Sequence, residues 1–188
     1  MTDGPRLETE RLVLRMGVRA DAPLTMRYAV ENRGFLGPWE PARNEYYYTQ
    51  DFWQRQIEAN LLEWRQDRGL RLFLFERGEG ERIAGILNVN NIVRGPAQYA
   101  TLGYGLAEWA QGTGLMFEAL SALIPYAFAT LRLHRLTANY LPRNERSGKL
   151  LRRLNFVVEG YARDYLEING RWEDHILTSR TNNDRPPD

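Results

Sequence analysis

The chain has 188 residues, which is enough for one domain with its own hydrophobic core and too few for two full domains. Its 25 Lys and Arg and 24 Asp and Glu leave a formal charge of +1, so the composition does not indicate nucleic acid or a membrane surface as a partner. The absence of cysteine excludes disulfide scaffolds, thiol nucleophiles and iron–sulfur centres.

The two ends of the chain are polar. The opening segment MTDGPRLETERLVLR has no apolar stretch of signal-peptide length, and no window approaches eighteen uninterrupted apolar residues. We therefore expect a cytoplasmic protein that does not associate with membranes or bind DNA directly. Residues 1–180 are predicted to form a single domain, and residues 181–188 (TNNDRPPD) have the composition of a flexible tail.

The first half of the chain predicts one strand and two helices. Residues 11–15 alternate charged and apolar side chains, which is typical of a half-buried strand. A helical pattern runs from Ala22 to about Phe35 and stops before Pro38. Residues 50–68 then place their apolar side chains on one face of a second helix.

The second half alternates strands and helices, and Asn169-Gly170 gives a strong hairpin signal between its last two strands. The complete order predicts an α/β (α+β) fold: a mixed, mostly antiparallel sheet of about seven strands with helices on both faces. The predicted elements are strands at 70–76, 82–92 and 98–107, a helix from Leu115, a strand at 135–141, a helix at 146–154, and strands near 156–167 and 172–179.

The turn Gln111-Gly112-Thr113-Gly114 follows a predicted strand and precedes the helix that opens at Leu115. Glycines let a ligand approach the backbone closely, and the first N–H groups of a helix have no internal partners, so the turn predicts an anion site. Two commoner phosphate fingerprints do not fit, because Gly148-Lys149 lacks the Walker spacing and neither G-x-G has its third glycine. Glycines that only mark the passage from strand to helix are the alternative interpretation.

This turn resembles the acetyl-CoA loop of the GNAT superfamily of N-acetyltransferases. The resemblance extends to the opening ETERLVLR, to the step from Asn144 to Ser147, and to Leu154-Asn155-Phe156, and it covers nearly the whole chain. Met116 departs from the Gly or Ala that the superfamily prefers at the sixth loop position. The resemblance implies the GNAT fold and direct transfer of an acetyl group from acetyl-CoA to an amine, with no metal and no covalent enzyme intermediate.

The resemblance also implies where acetyl-CoA binds. Because the phosphate donors are backbone N–H groups, we expect the loop to function despite Met116. Five basic residues between Arg143 and Arg153 either meet the 3′-phosphate of the coenzyme or form a solvated helix face. The implied acetyl-CoA contacts are Leu106, Gln111, Gly112, Thr113, Gly114, Leu115, Met116 and Asn144.

Ser147 is the predicted catalytic residue. The tyrosine that many family members use as general acid corresponds here to Leu151, so another group must donate to the departing thiolate. Ser147 lies three residues after Asn144, and its hydroxyl can donate a proton to the departing thiolate. The alternative is that Asn144 and Ser147 are simply an N-cap pair.

Longer segments, including ENRGFLGPWEP and LHRLTANYLPRNERSG, are similar to family members that acetylate ribosomal proteins. This likeness implies that the acceptor is the N-terminal alanine of a ribosomal protein, namely small-subunit protein five. It also implies the assembling small ribosomal subunit as a partner of the enzyme. On the order of a tenth of an α-amine is neutral at pH 7, so a water relay would suffice where a lysine acceptor would need a carboxylate. The predicted strand 98–107 carries no obvious carboxylate.

Three residues are the predicted acceptor contacts: Trp39 and Glu40, on a loop that borders the acceptor groove in this family, and Tyr104. Packing of Trp39 in the core is its alternative interpretation. His134 and His175 lack an i, i+4 partner and are predicted to be structural. Two other functions stay open, namely acetylation of a small-molecule amine such as a polyamine or antibiotic, and noncatalytic acetyl-CoA binding by a ribosome-assembly factor.

Overall fold

The structure, a computed structural model, describes residues 4–78 and 82–182. Within these ranges eight strands form one sheet. The strands are β1 (Arg6–Glu8), β2 (Leu12–Arg15), β3 (Leu70–Glu76), β4 (Ile83–Val93), β5 (Tyr99–Leu106), β6 (Arg135–Tyr140), β7 (Val157–Ile168) and β8 (Arg171–Thr181).

The helices follow the predicted order with one division. The helix predicted from Ala22 to Phe35 is interrupted at Asn32, whose side-chain amide donates to the Tyr28 carbonyl while its Oδ1 accepts from the amide of Glu108. Asn32 therefore joins two short helices to the loop before the glycine turn. The helices are α1 (Ala22–Glu31), α2 (Arg33–Leu36), α3 (Gln50–Arg65), α4 (Leu115–Ala129) and α5 (Glu145–Arg153).

The predicted mixed, mostly antiparallel sheet is confirmed, with eight strands in place of about seven. The additional strand is β1, which lies in the polar opening segment, where no strand is predicted, and pairs antiparallel with the edge of β2. The Asn169-Gly170 hairpin between β7 and β8 is present, and both residues have positive φ. The strand order is β1-β2-β3-β4-β5-β6-β8-β7.

The sheet opens between β5 and β6, its one parallel pair of neighbours among the described strands. The two strands pair only from Tyr99 with Arg135 to Thr101 with Thr137, where the two threonine hydroxyls lie 3.0 Å apart. Beyond this point β5 continues to Leu106 and β6 to Tyr140 without pairing to each other. A cleft therefore passes through the sheet, with its narrow end at the threonine pair.

The two faces of the central strands differ in chemistry. Arg71, Asn88 and Gly103 are cross-strand neighbours on β3, β4 and β5, and they share one face of the sheet. The next row, Leu72, Leu87 and Tyr104, lies on the opposite face, where both leucines are buried in the core. One face thus exposes polar groups and backbone at the cleft while the other closes the core.

The end of β8 overlaps the predicted tail. Thr181 is the last residue of this strand, and the amide of Asn182 donates to the carbonyl of His134 at 2.8 Å. Residues 183–188 lie outside the described residues, and the organisation into one domain with a short tail stays a prediction. No helix in the described part of the chain is both long enough and apolar enough to cross a membrane.

Gly85 provides a test of the close packing between β4 and β5. A β-carbon at this position would lie 2.5 Å from the carbonyl oxygen of Gly105, whereas nothing lies within 4 Å of one at Gly160. We expect Gly85→Ala to lower the free energy of unfolding by about 1–3 kcal/mol, because a backbone atom must move. The matched change Gly160→Ala should alter it by no more than about 0.5 kcal/mol. Denaturant titration measures both, and equal stabilities would contradict the packing.

Candidate active site

Two cavities open on opposite sides of the cleft between β5 and β6. The α4–α5 cavity has a volume of about 570 Å³ and lies beside the turn before α4 and the start of α5. The α1–α3 cavity has a volume of about 550 Å³ and lies over the polar face of β3, β4 and β5. Residues that line both cavities are Leu36, Trp39, Tyr104, Gly105, Asn144 and Ser147. Two ligands that entered from opposite sides would therefore meet at these residues.

A pair of hydroxyl groups lies where the cavities meet. The oxygen atoms of Tyr104 on β5 and Ser147 on α5 are 2.7 Å apart. Burial raises the pKa of Tyr104 to about 12, although its hydrogen bond with Ser147 acts in the opposite direction. The phenol is therefore protonated at neutral pH and can donate to Ser147. Leu151 is only 1% exposed and packs in the core, so this position provides no group for the cleft.

Asn144 caps α5, as its alternative interpretation predicted. Its side-chain oxygen accepts the backbone amide of Ser147 at 3.1 Å. The Ser147 hydroxyl takes no part in this cap, because its partner is Tyr104. Capping thus fixes the backbone of Ser147 while its hydroxyl faces the cleft, and Asn144 itself lines both cavities.

The glycine turn before α4 has the backbone that the sequence predicts. Gly112 and Gly114 have φ values of 75° and 84°, a left-handed region that favours glycine. The side-chain amide of Gln111 donates to the Leu106 carbonyl at 3.0 Å, and the Thr113 hydroxyl donates to the Ala110 carbonyl at 2.7 Å. The turn is thereby held against the end of β5, with residues 112–114 exposed.

Of the predicted acetyl-CoA contacts in this region, Leu106, Gln111 and Met116 line the α4–α5 cavity. Residues 112–114 form the exposed turn beside it, and Leu115 is buried under the first turn of α4. The first amides of α4 lack acceptors within the helix, so the turn and the helix start present unpaired donors together. This arrangement suits an anion that binds beside the cavity, at the exposed turn and the start of α4.

Arg11, from the segment between β1 and β2, removes the main electrostatic obstacle to an anion there. Glu118 lies in the first turn of α4, and the Arg11 guanidinium pairs with it at 2.7 Å and donates to the Thr113 carbonyl at 2.9 Å. Burial opposes ionisation of Glu118, but hydrogen bonds from Thr9 and Arg11 hold its pKa below the usual range. The carboxylate is therefore ionised and neutralised by Arg11.

The basic residues near α5 divide into two groups. Arg143, Arg146 and Lys149 line the α4–α5 cavity. Arg152 does not line it, and neither does Arg153, whose guanidinium carbon lies 4.2 Å from the centre of the Phe117 ring. Arg143 pairs with Glu173 at 2.8 Å and Lys149 with Glu145 at 3.2 Å, so an anionic ligand on the outer wall of this cavity would compete with these carboxylates.

The loop that carries Trp39 and Glu40 separates the two cavities and is held from two directions. The amide of Asn169, in the β7–β8 hairpin, donates to the Glu40 carbonyl at 2.9 Å. Arg143 donates to the Pro38 carbonyl at 3.1 Å, and its guanidinium carbon lies 5.5 Å from the centre of the Trp39 ring. Trp39 is 36% exposed and lines both cavities, so its packing in the core, the alternative interpretation, is wrong.

Glu40 brings a carboxylate to the α1–α3 cavity that the sequence of β5 does not contain. Its Oε1 lies 3.8 Å from the position of a β-carbon at Gly105, next to the cleft. Burial raises the pKa of Glu40, and the cations Arg43 and Arg71 act against this rise. The nearest cationic nitrogen, on Arg43, is 3.9 Å away, so the carboxylate is only loosely paired.

Several polar residues of the α1–α3 cavity are not among the residues predicted from the sequence. Arg71 lies in β3, where its Nε donates to Asn88 Oδ1 at 2.6 Å, and Tyr28 and Tyr47 lie near Glu40. The signal for Arg71 was present: a single arginine stands among apolar residues in LRLFLFE, a strand that is otherwise largely buried. The two tyrosines gave no such signal, because tyrosine at a helix face commonly packs in the core.

Within residues 4–78 and 82–182, His, Asp and Glu side chains are nowhere grouped in threes so as to hold a metal ion. His175 is 4% exposed and lines the α1–α3 cavity, and its Nδ1 lies 3.0 Å from the carbonyl oxygen of Glu173. This contact orients the ring, in agreement with a structural imidazole, but leaves it at the cavity wall.

Comparison with known proteins establishes the class. A family model for the acetyltransferase (GNAT) domain matches residues 11–157. The chain therefore belongs to the GNAT acetyltransferase family, and the resemblance in the glycine turn and its flanking segments is confirmed. The protein is accordingly an acyltransferase enzyme.

More particular similarities follow from individual relatives. The chain is 46% identical to the [ribosomal protein uS5]-alanine N-acetyltransferase of Escherichia coli (strain K12), over 97% of this chain and 93% of that protein. The crystal structure of the ribosomal-protein-S5-alanine acetyltransferase from Vibrio fischeri superposes with a TM-score of 0.92 at 37% identity, covering 97% of this chain and all of that one. The structure of Mycobacterium smegmatis RimJ in complex with CoA-disulfide superposes with a TM-score of 0.87 at 27% identity, covering 98% of this chain and 89% of that one.

Proposed function

We propose that this enzyme transfers the acetyl group of acetyl-CoA to the N-terminal α-amine of alanine on ribosomal protein uS5. The observation that carries the proposal is the meeting of two cavities, from opposite sides of the sheet, at the hydroxyl pair of Tyr104 and Ser147. The relatives named as alanine N-acetyltransferases supply the acceptor. The proposed setting is the cytoplasm, with the acceptor either free or on the assembling small subunit.

The α4–α5 side fits acetyl-CoA. The amides of residues 112–116 would bind the diphosphate, because they are donors at a helix start whose first-turn carboxylate is already neutralised by Arg11. Asn144 would contact the pantetheine arm, and Arg146, with Arg143 and Lys149 if they leave their carboxylate partners, would meet the 3′-phosphate. The coenzyme supplies the acetyl group as a thioester, and the solved RimJ from Mycobacterium smegmatis is a CoA complex.

The hydroxyl pair has the chemistry that the leaving thiolate requires. Ser147 can donate its proton to the sulfur, and Tyr104 can in turn donate to the Ser147 oxygen across 2.7 Å. Because the pKa of Tyr104 is raised to about 12, the phenol holds its proton at neutral pH. A chain of two hydroxyls would thus act as the general acid. In many family members this group is a tyrosine at the position of Leu151.

The charges of the α1–α3 cavity favour a single ammonium group over a polyamine. Its charged lining residues are one carboxylate, Glu40, and two guanidinium groups, Arg43 and Arg71. A polyamine carries several positive charges and would meet more cations than anions here. An N-terminal α-amine brings one charge, followed by neutral peptide groups that the amides of Asn88 and Asn90 can bind.

Transfer of label from acetyl-CoA to peptides tests the function. We expect acetylation of a peptide that begins with the alanine of uS5, and none of the same peptide with a blocked N-terminus. A polyamine should be a poor acceptor. Faster acetylation of the polyamine would overturn the choice of acceptor. Binding of acetyl-CoA without transfer to any acceptor would instead support the noncatalytic ribosome-assembly alternative.

The diphosphate position can be tested with a matched charge pair at the exposed residue Thr113. We expect Thr113→Glu to weaken acetyl-CoA binding roughly tenfold or more relative to Thr113→Gln, because a negative charge would face the phosphates at close range. Both variants lose the same hydrogen bond to Ala110, so the difference isolates the charge. Calorimetric titration gives the two dissociation constants, and equal values would place the diphosphate elsewhere.

The proton-donating role of Ser147 predicts a loss in turnover. We expect Ser147→Ala to lower kcat about 100-fold while the dissociation constant for acetyl-CoA changes less than about twofold, because the hydroxyl acts on the leaving sulfur. Ser121→Ala, on the exposed side of α4, is the matched control and should retain full turnover. An unchanged kcat at saturating substrates would refute the role.

A further inference from the structure

Glu40 occupies a distinctive place in the α1–α3 cavity: it is the one carboxylate among the described residues that line it. We propose that Glu40 accepts the proton that the acceptor's α-ammonium must lose before its nitrogen attacks the acetyl group. This role rests on the proposed function. It replaces the water relay that the sequence predicts from the absence of a carboxylate on β5.

The position of Glu40 suits an acceptor that meets the hydroxyl pair. Gly105, beside which its Oε1 lies, lines both cavities, as do Tyr104 and Ser147. Because Gly103 and Gly105 have no side chains, the face of β5 that looks into the α1–α3 cavity is bare backbone at these positions. An extended peptide end can lie against this backbone with its nitrogen between Glu40 and Ser147.

The surroundings of Glu40 keep its carboxylate free to take up a proton. The charged and titratable groups that face it are Tyr28 of α1, Arg43 of the following loop, Tyr47 of the turn before α3, and Arg71 of β3. Burial raises the pKa of both tyrosines, so these phenols are neutral and do not compete for the proton. Burial raises the pKa of Glu40, which favours uptake of a proton, and the two arginines act against this rise without binding the carboxylate tightly.

Glu40 can also release the proton it receives. It lines a second, smaller cavity of about 190 Å³ on the other side of its loop, together with Arg33, Arg43 and Asn169. Glu40 therefore borders two cavities, and water in either one can take up the proton between turnovers.

The protons and bonds balance. One proton passes from the ammonium to Glu40, and the freed lone pair forms the C–N bond with the acetyl carbon. The C–S bond breaks with its electrons on sulfur, and the Ser147 hydroxyl donates its proton to the sulfur. The nitrogen then loses its second proton, which restores the Ser147 hydroxyl. Glu40 then returns its proton to solvent, so the reaction releases one proton overall.

Glu40→Gln tests this role by a comparison of two acceptors. With the alanine peptide at saturation, we expect kcat to fall about tenfold at pH 7 and the loss to disappear above about pH 9, where the amine is neutral without help. With a peptide that begins with trifluoroalanine, whose fluorines make the amine neutral at pH 7, the variant should match the wild type. Acetyl-CoA affinity and the thermal midpoint should stay unchanged, since Glu40 does not line the α4–α5 cavity.

Two control variants and two contrary outcomes make the test decisive. Glu58→Gln removes an exposed carboxylate on α3 and should behave as wild type on both peptides. An equal loss on both peptides would indicate a merely structural role, and a rise in KM with unchanged kcat would indicate an ammonium anchor; either result overturns the proposal. If His175→Gln showed the pH-dependent fall in kcat and Glu40→Gln did not, that result would also overturn the proposal.

The proposed function fails separately from this role. If the wild type acetylates a polyamine faster than the alanine peptide, the choice of acceptor is wrong. The ratio of variant to wild-type kcat on the polyamine, measured from pH 7 to above about pH 10, where its amines lose their charge, then decides whether Glu40 accepts the proton. A ratio that rises toward one as the amine loses its charge supports the role, and a constant ratio overturns it.

Discussion

The short parallel pairing of β5 and β6 is the constraint on which the site depends. The two strands pair at only three positions, the last of which is Thr101 with Thr137. Beyond this pair the strands separate. Their unpaired backbone groups would be costly if buried without partners, so this opening is tolerated only where ligands or water can satisfy them. The same separation allows Tyr104 of β5 and Ser147 of α5 to meet in the gap.

Charge is distributed across the sheet according to what each side would bind. Cations of α5 and its preceding loop, with the free amides at the start of α4, face the α4–α5 cavity. The α1–α3 cavity carries Glu40 among two arginines and several uncharged amides. The cations of the first side suit a polyanionic coenzyme, whereas an amine on the second side depends on the local position of Glu40. The near-zero net charge of the chain gives no sign of these local groups.

Local sequence patterns predicted the strands of the second half, the glycine turn and the last hairpin closely, since each depends on neighbours in the chain. The placement of Glu40 could not be predicted in this way. It depends on contacts of its loop with Asn169 and Arg143, which lie more than a hundred residues away. The Tyr104–Ser147 contact likewise requires the splay of β5 from β6. The extra strand β1 could not be predicted because three residues with a single apolar side chain, Leu7, are too short to show a hydrophobic period.

The Asn169-Gly170 turn has a consequence beyond joining β7 to β8. One backbone hydrogen bond ties this reversal of the chain to the carbonyl of Glu40, so the geometry of a surface hairpin bears on the position of a carboxylate in the α1–α3 cavity. The dipeptide therefore meets two structural requirements at once: tight chain reversal, and the reach of one amide. A longer hairpin here would carry that amide away from the Glu40 carbonyl and leave the loop without this anchor.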